Sequence, residues 1–141
     1  MPDMLTMYEL PHIIIPRNWA CPDNAGFFEA SSMRKINGIY YFIYSARING
    51  LHYAASRYPD RDFVYGGRIH SSSDVGLRGY TIDNAAYPNG NTHGSIIAVN
   101  NHYYIFDHRF SYNTSFCRQG VAERINIEKN GHISQVEATS C

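Results

Sequence analysis

Two side chains in this sequence carry chemistry that their surroundings do not explain. Glu29 is a lone carboxylate set between Phe27-Phe28 and the small residues Ala30-Ser31-Ser32, where a strand would bury it. Two aromatic neighbours disfavour the charged form of a carboxyl, which suits a proton donor. The plainer alternative is an ion pair with an arginine at a strand end. His93, in Asn91-Thr92-His93-Gly94-Ser95, is the second. Its meaning depends on where the chain puts it.

A repeat settles that placement. Ala30 to Ser45, ASSMRKINGIYYFIYS, aligns without a gap on His93 to His108, HGSIIAVNNHYYIFDH, at an offset of 63 residues. Ser32 matches Ser95, Asn37 matches Asn100, and Tyr40-Tyr41 matches Tyr103-Tyr104. Each copy reads as strand, short Asn-containing turn, strand, which is the pattern of a hairpin. Further short strands follow each copy: Leu51–Ser56 and Gly66–Ser71 after the first, Gly120–Ile127 and His132–Glu137 after the second. No helical periodicity is visible. Repeated four-stranded antiparallel units predict an all-β fold, a partial β-propeller of two blades. The blades are expected over about 26–90 and 91–138, within a body of 20–141. A leader over 1–19 is expected to carry a remnant strand in Glu9–Pro16. Propellers close with at least four blades, so two leave sheet edges open. The chain therefore reads as a piece of something larger, or as a homo-oligomer whose copies cover those edges.

In such a fold Glu29 aligns with Thr92 and Ala30 with His93. Both functional side chains then enter the innermost strands of adjacent blades, beside the central axis. The expectation is that Glu29 points into the mouth of that channel, with His93 next to it.

Composition narrows the partners. Twelve basic and twelve acidic residues cancel, giving no electrostatic reason for a nucleic-acid or anionic membrane partner. No apolar run approaches the length of a membrane span, and no signal peptide pattern opens the chain. Twelve tyrosines among 141 residues suit strands and also offer flat faces to sugar rings. Cys21, Cys117 and Cys141 lack metal-type spacing and cannot all pair, so a reducing compartment is the simpler reading.

Four stretches together, FFEASSMRKINGIYYFIYS, YAASRYPDRDFVYGG, GNTHGSIIAVNNHYYIFDHR and CRQGVAERI, resemble the second half of glycoside hydrolase family 43 enzymes. These are arabinofuranosidases and xylosidases on a five-bladed propeller, and the resemblance covers roughly residues 20–138. It implies an inverting hydrolase of arabinofuranosyl or xylosyl linkages, acting on a pentose-containing oligosaccharide or polysaccharide. Glu29 matches the family's general acid and His93 its axial histidine, found near a water-ligated calcium or orienting a carboxylate. No cofactor is required, and a structural calcium near His93 is the metal the resemblance allows. Arg118 resembles the arginine that holds the sugar at the cleavage point. Phe28, in the Phe-Phe-Glu motif, and Arg109, in Phe-Asp-His-Arg, are the remaining candidates for substrate contact.

The departures are specific. Thr92, Asp107 and Arg124 stand where Asn, an aromatic and Pro are common, and Asp107 reads either as a surrogate acidic ligand or as a strand-edge Asp. The blade that carries the family's base, an Asp, has no counterpart here. Asp3 and Asp23 lack its motif context. Weak or absent activity of the chain alone is therefore expected. A non-catalytic sugar-binding or self-assembling module is the alternative. The other histidines, His12, His52, His70, His102, His108 and His132, read as surface or network groups.

Overall fold

A computed structural model describes residues 10–16, 22, 25–47, 50–71, 73–88, 90, 92–111, 114 and 116–139. Asp3, Asp23, Cys21, Cys141, Asn49 and Asn91 lie outside the described residues. Its regular elements are seven strands: β1 (Phe27–Ile36), β2 (Ile39–Ala46), β3 (Leu51–Ser56), β4 (Val64–His70), β5 (Ser95–Val99), β6 (His102–Phe110) and β7 (Arg118–Ile125). They form two antiparallel sheets, β1-β2-β3-β4 and β5-β6-β7, each strand pairing with its neighbour in sequence.

The hairpins form where the turn chemistry allows. Asn37 and Gly38 take φ of 50° and 80°, and Asn100 and Asn101 take 48° and 62°. A two-residue hairpin turn with the twist of the strands needs positive φ at both positions, which Asn and Gly tolerate best. Both turns give in-register ladders, Ile36 opposite Ile39 and Val99 opposite His102.

The two sheets meet on one apolar cluster: Tyr41, Ile43, Leu51, Tyr53 and Ile69 from the first, Ile96, Ile105 and Ile125 from the second, with Ile133. In β7 alternation puts Val121, Glu123 and Ile125 inward and the residues between them outward. Strands β2 and β3 are buried on both faces, because Phe27, Phe42, Tyr44 and Phe63 form a second aromatic layer behind them. Among the described residues the second sheet has no such layer, and Ile97 and Phe106 are each 49% exposed.

Residues 132–137, expected as a fourth strand of the second unit, do not form one. They make only two isolated bridges, Ile133 to Ile127 and Val136 to His70, the latter on the first sheet. Two tyrosines cause this. The Tyr41 hydroxyl donates to the Gly131 carbonyl at 2.9 Å, and the Tyr53 hydroxyl accepts the Ile133 N–H at 3.0 Å. The segment is thereby drawn across to the first sheet, where the Val136 N–H reaches the Ile69 carbonyl. The expected remnant strand is also not found: the described part of it, 10–16, joins no ladder, and Leu10 and Ile13 are exposed.

Candidate active site

The innermost strands β1 and β5 run side by side, and the repeat becomes a physical contact there. Ser32 and Ser95, equivalent positions 63 residues apart, share a hydroxyl–hydroxyl hydrogen bond of 2.8 Å. Arg34 Nε donates to the Ile96 carbonyl at 3.1 Å. At the entry to the same strands His93 Nε2 lies 3.2 Å from Glu29 Oε1.

Glu29 reaches that position through an irregularity in β1. The ladder to β2 slips twice, once on each side of Glu29, and Ala30 adopts φ of 57°. Positive φ at an alanine costs about 1–2 kcal/mol, and a bulge of this kind re-aims a side chain at a strand end. The bulge turns Glu29 out of the sheet, leaving its side chain 40% exposed. The two phenylalanines do not close over it as expected. Phe27 packs back on Phe42 and Tyr44, and Phe28 is half exposed. What Glu29 meets is an imidazole.

Behind that imidazole lies a buried polar layer. The His93 ring meets His108 edge-on, centroids 5.4 Å apart. Asp107 accepts the backbone N–H groups of His108, at 2.6 Å, and of His93. Its other oxygen lies 3.6 Å from Nε2 of His70, the last residue of β4, and both side chains are fully buried. Burial pushes the Asp107 carboxyl up to about 7 and the His70 imidazole down. Asp107 is thus neither a strand-edge residue nor a ligand reaching into the channel. It sits inside the sheet interface in the middle of β6. Glu123, on β7, is also buried, and its Oε1 accepts both the N–H and the hydroxyl of Thr139.

Arg109 and Arg118 come together at the same end of the second sheet, since Phe110 pairs with Arg118 there. They line an open depression of about 610 Å3 with Tyr87, Pro88, Phe110, Ser111 and Gln119. The Arg118 guanidinium stacks over Phe110 at 4.1 Å and that of Arg109 over Tyr87 at 4.7 Å. Arg109 is buried and donates to Gln119 Oε1 and the Thr139 carbonyl, so most of its donors are engaged. Glu29 and His93 do not line this depression. Of the other histidines, His52 is buried against Tyr44 and Tyr65, and His102 accepts from Arg124 on the surface.

The calcium expectation can be weighed on the donors present. Calcium takes six to eight oxygen ligands, whereas the His93 ring meets one carboxylate, Glu29, and a second imidazole, His108, and the buried Asp107 carboxyl is engaged by backbone N–H groups. Among the described residues no group of three or more His, Cys, Asp or Glu is arranged to hold a metal. The described residues around His93 do not by themselves supply such an oxygen set.

A xylosidase/arabinosidase of Thermoclostridium stercorarium is 46% identical over 99% of this chain, which spans 31% of that relative's length. The chain belongs to glycoside hydrolase family 43. The RS223 β-xylosidase structure superimposes with a TM-score of 0.63 at 27% identity, over 78% of this chain and 31% of the other. A family 43 β-xylosidase/α-arabinofuranosidase from a compost microbial metagenome, solved with xylotriose in a calcium-free form, gives 0.63 at 26% identity over 78% and 30%. No family model matches the chain. The partial-propeller architecture agrees with these neighbours, and the chain spans about a third of the length of the family 43 relatives it matches.

Sequence alone leads to Glu29 and His93 through the 63-residue offset. It does not lead to the Asp107–His70 pair, whose members are distant in sequence and lie in different sheets. The one available signal is that Asp107 replaces, in the second copy, the buried Tyr44 of the first.

Proposed function

We propose that this chain supplies the acid-bearing part of a family 43 glycosidase that hydrolyses xylosyl or arabinofuranosyl linkages by inversion. Glu29 protonates the leaving glycosidic oxygen, and His93 orients it. The observation that carries the reading is the 3.2 Å contact between these two side chains, presented at a strand bulge and open to solvent. Inversion needs a second carboxylate ~6.5–9.5 Å from the first, with water between base and sugar. That base is expected from polypeptide beyond these 141 residues, because they correspond to 31% of the Thermoclostridium relative. Arg118 and Phe110, with Tyr87, hold a neighbouring sugar in the adjoining depression.

The test is a chimera in which these residues replace the aligned third of that relative. The chimera should hydrolyse xylobiose or an arabinofuranoside, and Glu29→Gln should lower kcat by ~10²–10⁴. The loss should shrink on nitrophenyl glycosides, whose leaving group needs little protonation. An active chimera whose Glu29→Gln form is unimpaired on natural linkages would refute the assignment.

The depression favours a second reading, a module that holds pentose without cleaving it. Titration of the chain with xylotriose, weakened by Arg118→Ala and indifferent to Glu29→Gln, would support that reading instead.

A further inference from the structure

We propose that Asp107, backed by His70 across the sheet interface, is the positioning residue that sets His93 against Glu29. The inference rests on the reading of Glu29 and His93 as the acid and its partner, and it adds two residues to the site that sequence motifs do not assign.

The internal repeat supplies the argument. Asp107 occupies the place that Tyr44 fills in the first copy, 63 residues earlier. Tyr44 is fully buried, and its hydroxyl donates to the carbonyl of Ala25 at 2.8 Å. Ala25 lies two residues before β1, so Tyr44 ties down the chain as it enters its innermost strand. Asp107 performs a related task with the polarity reversed, at a residue that the repeat aligns with Ala30 rather than with Ala25. Its carboxylate accepts the N–H of His93, two residues before β5, and the N–H of His108 at 2.6 Å. One short carboxylate therefore fixes the backbone of both histidines whose rings meet edge-on. The outer face of His93 is then directed at Glu29.

An aspartate is shorter than the tyrosine it replaces and needs backing. His70 is the group that faces it, with Nε2 at 3.6 Å, beyond hydrogen-bond distance, from the free carboxylate oxygen and no exposure of either side chain. A charged or protonated oxygen at that depth keeps a fixed position only when a polar group faces it. The contacts run continuously from the open rim to the middle of the interface: Glu29, His93, Asp107, His70.

The experiment uses the chain itself, so it reads independently of catalysis. In isotope-labelled protein, Glu29→Gln is expected to shift the ring resonances of His93. In Asp107→Leu that response should fall at least twofold, while Asp107→Asn, which keeps an acceptor oxygen, should retain most of it. The core methyls of Ile43 and Ile105 report whether each variant remains folded. Should the leucine variant fail to fold, the amide protons of His93 and His108 decide the matter in Asp107→Asn and His70→Gln. Both should move upfield with the weaker or unbacked acceptor. A folded leucine variant with the full Glu29 response, or unmoved amides in the asparagine variant, would overturn the proposal. A catalytic chimera left unimpaired by Glu29→Gln would refute the acid assignment and leave this result standing.

Discussion

The buried Asp107–His70 pair makes a pH prediction whose sign can be worked out for each partner. The Asp107 carboxyl, ordinarily near 3.8, is pushed up to about 7 by burial, against the pull of the His108 and His93 N–H groups. Between these values the folded chain holds a proton that the unfolded chain has released. Raising the pH through that window therefore favours unfolding. Three units at ~1.4 kcal/mol each set a ceiling of about 4 kcal/mol on the loss. His70 works in the opposite sense. Burial lowers its affinity for a proton, against Glu123 and Asp74, which favour the charged ring, and with Arg109, which opposes it. Its contribution is present above the ordinary value of 6.5 and is lost as the pH falls. Because the two slopes overlap, the parent curve alone decides nothing, and differences between variants do. Relative to the parent, Asp107→Asn should gain stability steadily from pH 4 to 7, by about 2–4 kcal/mol once the facing imidazole is allowed for. His70→Gln should instead gain relative to the parent as the pH falls. Urea midpoints taken across this range measure both, since 2 kcal/mol moves a midpoint by about 1 M at m near 2 kcal/mol/M. Parallel curves for Asp107→Asn and the parent, within about 0.5 kcal/mol, would show that no carboxyl with a raised pKa is buried there.

Tyr53→Phe should cost about 1–3 kcal/mol, because it strands the buried Ile133 N–H that the hydroxyl accepts; a midpoint change under about 0.5 kcal/mol would show the segment 131–138 docks by other means. Gly66→Ala should destabilise by about 1–3 kcal/mol, since a Cβ there would run into the Tyr53 ring. Its signature is a changed near-ultraviolet dichroism of the tyrosines, and a spectrum and melting temperature like the parent's would contradict the packing. Ala30→Gly should stabilise by about 1 kcal/mol, as glycine occupies φ of 57° without penalty. A lower melting temperature for that variant would mean the bulge beside Glu29 is not held in the left-handed region.

Much of this was legible because local chemistry and global fold agree. Asn37-Gly38 and Asn100-Asn101 carry turns that few other residues form, and alternation in β7 reads directly as one buried face. The pairing of Glu29 with His93 was legible for a different reason: an ungapped repeat places equivalent residues at equivalent depths, and the Ser32–Ser95 bond makes that equivalence literal. Three features escaped. The bulge at Glu29-Ala30 is marked by no glycine or proline, so the ladder slip has no local signature. His132–Glu137 alternates like a strand, but Tyr41 and Tyr53, some 80–90 residues earlier, claim its backbone. Asp107 and His70 look like ordinary polar residues until the two sheets are stacked. The last two misses are long-range contacts overriding a local pattern.

The site itself belongs to neither sheet. The first supplies the carboxylate, the second the imidazole, and three contacts cross between the two: Ser32 to Ser95, Arg34 to the Ile96 carbonyl, His70 to Asp107. Glu29 and His93 are both partly exposed at the rim, where an ion pair in water is worth ~0–1 kcal/mol. Such a pair cannot hold the sheets in place. The causation runs the other way: the apolar cluster of Tyr41, Ile43, Ile96 and Ile105 fixes the sheets, and the rim contact follows. A substitution in that cluster that loosens the interface by a few tenths of an ångström should therefore disturb the pairing of acid and imidazole before it unfolds the chain.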